Sequence, residues 1–196
     1  MGKNPGALGA DQPIWFHQTA VSHTARDVSK IIDALSARSD VDLSRIGVAG
    51  ISMGSSTCMV LGWKEPRISV IVGMIGAVDF WYDMTKTAPG PDQDAKRMAL
   101  SPRVQQLVCS IDPHPAERKR AFAPKAVFLA NGVRDEIDIE SVRTFVKDLR
   151  LHYAAFSDRL QAIEEPGGHS MTDRMWDEGT KWLQRHLVER PLQPSK

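Results

Sequence analysis

The sequence predicts an α/β fold: a mostly parallel sheet of about four strands with helices on both faces. Three observations carry this. Short, nearly continuous apolar runs recur at Ile46–Ile51, Val70–Ile75 and Ala126–Ala130, the composition of strands buried on both faces. Between them lie stretches whose apolar residues recur at helical spacing. And the first run ends in Gly50-Ile51-Ser52-Met53-Gly54, a strand passing directly into a helix through Gly-x-Ser-x-Gly.

Taken in order, residues Met1 to about Gln12 are rich in Gly and Pro and read as loop, with Ile14-Trp15-Phe16 as an apolar anchor. Val28, Ile31, Ile32 and Leu35 give a helix from about Ser22 to Ala37 one buried face. Asp40-Val41-Asp42-Leu43-Ser44 is a turn into the first strand. The helix after Ser52 opens on small residues and stops before Pro66. The second strand ends at Gly76-Ala77-Val78-Asp79. Phe80–Lys125 holds six prolines and reads as a cap-like insert, with one helix over Asp92–Ile111 bent near Pro102. The third strand leads into Asn131-Gly132-Val133-Arg134-Asp135 and a helix carrying Val142, Phe145, Val146 and Leu149. Leu160–Ile163 is a weaker fourth strand. Pro166-Gly167-Gly168-His169 turns into a last helix with Met175, Trp176, Gly179, Trp182 and Leu183 on one side.

The chain of 196 residues fits one domain with a real core, and 42% hydrophobic and 25% charged residues are the proportions of a globular protein. A net charge of +1 gives no reason to expect nucleic acid or an anionic membrane as partner. Cys58 and Cys109 make neither a disulfide framework nor a zinc site, and Cys58 reads as a small buried apolar residue. No apolar stretch approaches membrane-spanning length. Met1-Gly2-Lys3-Asn4-Pro5-Gly6 has no signal-peptide core and no Ser or Thr at the sixth position, so the expected compartment is cytoplasmic. No metal-ligand spacing or phosphate-binding loop appears, and neither metal nor cofactor is expected.

The chemistry lies in three loops that follow three strands. A serine hydroxyl is a weak nucleophile at neutral pH and needs a base to take its proton. A histidine supplies the base, and a carboxylate fixes the histidine's tautomer. Ser52, His169 and Asp135 can take these roles at the carboxyl ends of parallel strands. The backbone N–H of Met53 is the expected oxyanion donor. Ser52 could instead be a plain helix cap. Asp79 rivals Asp135 as the acid, and Asp138 reads as the cap of the following helix. His114 reads as a rigid turn between prolines, and Arg118-Lys119-Arg120 as a solvated face.

These motifs resemble the C-terminal portion of an α/β-hydrolase. Gly50–Gly54 matches the nucleophile elbow, Asn131–Asp135 the acid loop and Pro166–Ser170 the histidine loop; Asp40-Val41-Asp42 before Arg45-Ile46-Gly47 resembles esterase-like and dienelactone-hydrolase-like members. The resemblance implies a serine hydrolase that cleaves a small-molecule ester or related acyl bond, with Ser52, His169 and Asp135 as its triad. Phe80, Trp81 and Tyr82 are then candidate pocket walls. A peptidase, a thioesterase, a C–C hydrolase or a non-catalytic remnant are the alternatives on the same scaffold. One departure stands out. The family places about four strands before its elbow strand, and the 45 residues ahead of Ile46 contain no convincing one. The expectation is an abbreviated or partial member. Its elbow strand would have a free edge that invites association with a second copy, and its oxyanion hole would lack one donor.

Overall fold

The computed structural model describes residues 12–189. Four strands, β1 (Ile46–Ile51), β2 (Ile68–Met74), β3 (Ala126–Gly132) and β4 (Leu160–Glu165), form one sheet in the order β1-β2-β3-β4. Every pairing is parallel. All four expected strands are present, each within two residues of its expected bounds at either end. The period of two divides the central strands between two cores. Ile71, Val127 and Leu129 face one side, while Val70, Val72, Met74, Ala126, Phe128 and Ala130 face the other. The first side is covered by α1 (Gln12–Leu35), α2 (Met53–Lys64) and α7 (Ile139–Arg150), the second by α8 (Asp173–Leu183) through Met175 and Trp182. Each fully buried aliphatic side chain here contributes roughly 1.5–3 kcal/mol.

The helix expected from Ser22 begins at Gln12, so Trp15 and Phe16 lie on it. Trp15 packs against the core under the Arg103 guanidinium, 4.2 Å from its ring, but Phe16 is exposed. The loop expected over Met1 to Gln12 falls outside the described residues but for its last. The buried stripe of α1 is Gln18, Val21, Ala25 and Ile32, with Val28 packed beside it. Ile31, expected on that face, is one residue off the stripe, about 100° around the helix, and is exposed. Trp176 misses the Met175–Gly179–Trp182 stripe of α8 for the same reason.

Between β2 and β3 lie α3 (Phe80–Thr85), α4 (Pro91–Ala99), α5 (Pro102–Ile111) and α6 (Ala116–Arg120). The single bent helix expected over Asp92–Ile111 is two helices. Leu100 turns to extended backbone, and Ser101 caps a new helix whose first residue is Pro102, where a missing N–H costs nothing. The basic run is not a solvated face either. Lys119 is buried and pairs with Asp148 at 2.5 Å. Arg118 lies over the Trp63 ring and donates to the carbonyls of Cys109 and Asp112. Of the three, Arg120 is exposed. Cys58 is buried as expected, which pushes its thiol up to about 12.

The carboxylate of Asp112 ties this region together. Its Oδ1 accepts from the backbone N–H of Phe80 at 3.1 Å and of His114 at 3.3 Å. Burial, reinforced by the charge of Asp79, pushes the Asp112 carboxyl up to about 7. An acid with a raised pKa binds more protons folded than unfolded between its ordinary value and the raised one. Its contribution to stability is therefore full below about pH 4 and is lost as pH rises toward 7. Asp112→Asn keeps an acceptor oxygen without the charge. Thermal melts between pH 5 and pH 8 should show a higher melting temperature for the variant at pH 8 and a flatter pH dependence.

Candidate active site

The elbow forms where β1 stops. Ser52 has φ 53° and ψ −119°, a backbone conformation that non-glycine residues rarely adopt. Its N–H donates to the Met74 carbonyl at 2.9 Å, which fixes the turn to the neighbouring strand. Gly50 is obligatory, because a Cβ there would lie 2.2 Å from the Gly54 carbonyl carbon. The second glycine of the motif is not under the same demand: a Cβ at Gly54 meets no atom within 4 Å. The steric demand of the motif thus holds on the strand side and not on the helix side.

Ser52 occupies the cap position of α2, but its side chain makes no capping hydrogen bond. Its hydroxyl instead lies 2.8 Å from His169 Nε2. His169 Nδ1 lies 2.9 and 3.1 Å from the two oxygens of Asp135. A carboxylate accepts only, so Nδ1 carries the proton and Nε2 is left to accept from the serine. The Asp135 side chain is fully buried, and its Oδ1 also accepts from the Ile137 N–H at 3.0 Å. His169 keeps about a third of its side chain exposed. The acid and histidine loops are laced together: Val133 N–H bonds the Glu165 carbonyl and Arg134 N–H the Gly167 carbonyl. Gly132 permits this approach, since a Cβ there would sit 2.5 Å from the carbonyl oxygens of Gly167 and Gly168.

The rivals are committed elsewhere. Asp79 caps α3, accepting from the Tyr82 N–H at 2.8 Å, and its other oxygen is 3.7 Å from His114 Nε2. Asp138 caps α7 through the Ser141 N–H, as its position suggested. Met53, the expected oxyanion donor, is the first residue of α2, where helix N–H groups have no intrahelical acceptor. The three aromatic residues do not share one wall. Phe80 is packed in the core, because the Asp79 cap starts a helix there and turns it inward. Trp81, with Asp79, Arg97, Asp112 and His114, lines a cavity of about 270 Å³. Tyr82 lies at an adjoining cavity of about 150 Å³ beside Asp138 and Thr144.

Sequence reasoning missed three exposed apolar residues near the strand ends. Ile51 and Met53, on either side of Ser52, are each 42% exposed, and Val133 in the acid loop is 38% exposed. Strand patterning assigns Ile51 to a core, so its exposure emerges only from the structure. Among the described residues no cluster of His, Cys, Asp and Glu is placed to hold a metal ion. No described helix is long and apolar enough to cross a membrane.

No known family profile matches the chain. It is 27% identical over 164 residues to "Putative hydrolase YtaP" of Bacillus subtilis, a match that takes in 82% of this chain and 52% of that protein. A glucuronoyl esterase from Solibacter usitatus superposes with a TM-score of 0.63 at 17% identity, over 85% of this chain and 48% of the esterase. The Pyrococcus furiosus esterase Pf2001 gives 0.56 at 16% identity, over 82% and 61%. The chain therefore spans about half the length of the relatives it matches. With four parallel strands in this order and a sharp Gly-x-Ser-x-Gly turn at the end of the first, the chain has the α/β-hydrolase fold over the portion it shares with these structures.

Proposed function

We propose that the chain carries the catalytic centre of a serine hydrolase acting on carboxylic esters or related small acyl compounds. The observation that supports this most is the unbroken chain from the Ser52 hydroxyl through His169 to the buried Asp135 carboxylate. A serine that merely capped α2 would bond a helix N–H, and Ser52 does not. In the first step the Ser52 oxygen attacks the acyl carbon while Nε2 takes its proton, and Asp135 stabilises the imidazolium. The tetrahedral oxyanion accepts from the Met53 N–H. The imidazolium then protonates the leaving alcohol, and an acyl-enzyme remains. Water, activated by the same Nε2, returns the serine. No step calls for a cofactor. Ile51 and Met53, the exposed neighbours of Ser52, offer an apolar surface for the acyl group, and the segment between β2 and β3 is the candidate cap. The names of the relatives, a hydrolase and two esterases, agree with this reading.

One observation favours a partner as part of the working unit. β1, the strand that carries the nucleophile, is the edge of the sheet among the described residues. Ala49 and Ile51 on it are exposed, whereas β2 and β3 are buried almost throughout. An uncharged strand of Ile, Gly, Val and Ala with a free edge is a template for strand addition. A second copy adding there would extend the sheet. Met53 supplies the one oxyanion donor this reading assigns among the described residues, and a site short of one donor loses about a hundredfold to a thousandfold in turnover, so the chain by itself should be slow. A panel of p-nitrophenyl esters, read together with multi-angle light scattering, tests both points. The expected result is measurable cleavage of short-chain esters by a species larger than one chain. A monomer that cleaves esters briskly would remove the need for a partner, and a folded chain inert to every ester and to fluorophosphonates would remove the enzyme.

A further inference from the structure

Directly beside the elbow lies a second strained turn that the proposed reaction does not use. Ile75, the residue after β2, has φ 47°. A β-branched side chain at positive φ is a true outlier, and such strain persists only where the surroundings enforce it. The enforcement comes from both flanking strands. On one side the Ser52 N–H donates to the Met74 carbonyl at 2.9 Å, so the two strained residues share one link. On the other, the Ile75 N–H donates to the Ala130 carbonyl at 2.7 Å. The next residue, Gly76, is pressed against the elbow itself: a methyl on its Cα would lie 2.3 Å from Ser55 Cβ and 2.9 Å from the Ser52 carbonyl oxygen.

What holds Gly76 there is Asn131. This side chain is 1% exposed, and its Nδ2 donates to the Gly76 carbonyl at 3.3 Å. Asn131 also stands immediately before Gly132, whose backbone packs on the carbonyls of Gly167 and Gly168 in the histidine loop. It lies on β3, on the strand side of the loop that presents Asp135. One buried amide thus joins the turn that backs the nucleophile to the strand end that sets the acid and the histidine. Hydrophobic burial cannot account for an amide at this place, since an unbonded one would cost about 1–3 kcal/mol.

We infer that Asn131 is a positioning residue: by clamping the strained Ile75-Gly76 turn against the elbow, it sets the distance between the Ser52 hydroxyl and the His169–Asp135 pair. This rests on the serine-hydrolase reading for its consequence in rate, though not for its geometry. Asn131 touches no reacting atom. Its loss lets the Ile75-Gly76 turn relax away from the carbonyl side of Ser52, and a displacement of about 1 Å at a nucleophile can cost a hundredfold in rate.

Two variants of the full chain test it, Asn131→Ala and Asn131→Asp. The second keeps the shape but sets an acceptor oxygen against the Gly76 carbonyl, so it remains informative should the alanine variant fold poorly. Two quantities are read. The first is fluorophosphonate labelling, resolved into the maximal inactivation rate and the half-saturating concentration. The second is the downfield proton resonance of His169 Nδ1–H, which reports the hydrogen bond to Asp135 whether or not any acyl chemistry occurs. The expected result is a maximal rate lower by about a hundredfold at an unchanged half-saturating concentration. The resonance should shift or broaden in both variants while far-UV circular dichroism stays the same. A purely structural role would lower the melting temperature and leave the maximal rate of the folded fraction intact. Native labelling rates and an unmoved resonance in both variants would overturn the inference. If the unaltered chain is not labelled at all, the hydrolase reading fails, and the resonance still decides whether Asn131 sets the histidine.

Discussion

Asp135→Asn should lower ester turnover and fluorophosphonate labelling by about a thousandfold or more. Asn presents an N–H as readily as a carbonyl toward His169 Nδ1. Where the amide donates, Nδ1 must accept and Nε2 holds the proton, so the imidazole can no longer take one from Ser52. The imidazolium of the transition state also loses the carboxylate 2.9 Å away. The partner experiment is Asp79→Asn. Asp79 caps α3 and faces His114, and Asn is about as good a helix cap as Asp. Removing its charge also relieves Asp112, which Asp79 helps to hold in the protonated form. Turnover in Asp79→Asn should therefore stay within a few-fold of the native chain. A reversal of the two effects in the steady-state rates would move the acid to the end of β2.

Ser52→Ala should abolish labelling altogether and leave far-UV circular dichroism unchanged. The hydroxyl caps no helix N–H, so α2 keeps every capping bond without it. The backbone strain at φ 53° is the same for Ala as for Ser, since both carry a Cβ. The substitution removes the 2.8 Å hydrogen bond to His169 and leaves the turn itself in place. A gel of labelled protein beside a melting curve of each variant checks both halves of the expectation.

Much of this site is legible in the sequence. The elbow, the acid loop and the histidine loop each sit after an apolar run, and a parallel sheet brings all such loops to one edge. That is why residues as far apart in sequence as Ser52, Asp135 and His169 meet. The preference for Asp135 over Asp79 rests on the resemblance, and the geometry supplies its cause: Asp79 is consumed as a helix cap. Other features are hidden for physical reasons. Periodicity alone puts Ile31 and Trp176 on buried faces, because a helical stripe tolerates one-residue ambiguity until packing resolves it. The start of α1 escapes notice because Pro13 reads as a loop residue although the first turn of a helix accepts it. The segment between β2 and β3 is hardest. Its short helices are set by caps at Asp79 and Ser101 and by a carboxylate, Asp112, that bridges segments 32 residues apart, and no local periodicity announces such a contact. The strain at Ile75 and its clamp at Asn131 belong to the same class, since β2 reads as an ordinary buried strand.

The most direct test of Ser52 as nucleophile is to map the covalent adduct itself. The native chain is incubated with a small alkyl fluorophosphonate, digested, and the modified peptide sequenced by tandem mass spectrometry. A serine hydrolase with the geometry described here yields one phosphonylated residue, Ser52, in the peptide that spans the end of β1 and the start of α2, and none after prior denaturation. A native, folded chain that carries no adduct, or carries it on a serine other than Ser52, would contradict the assignment.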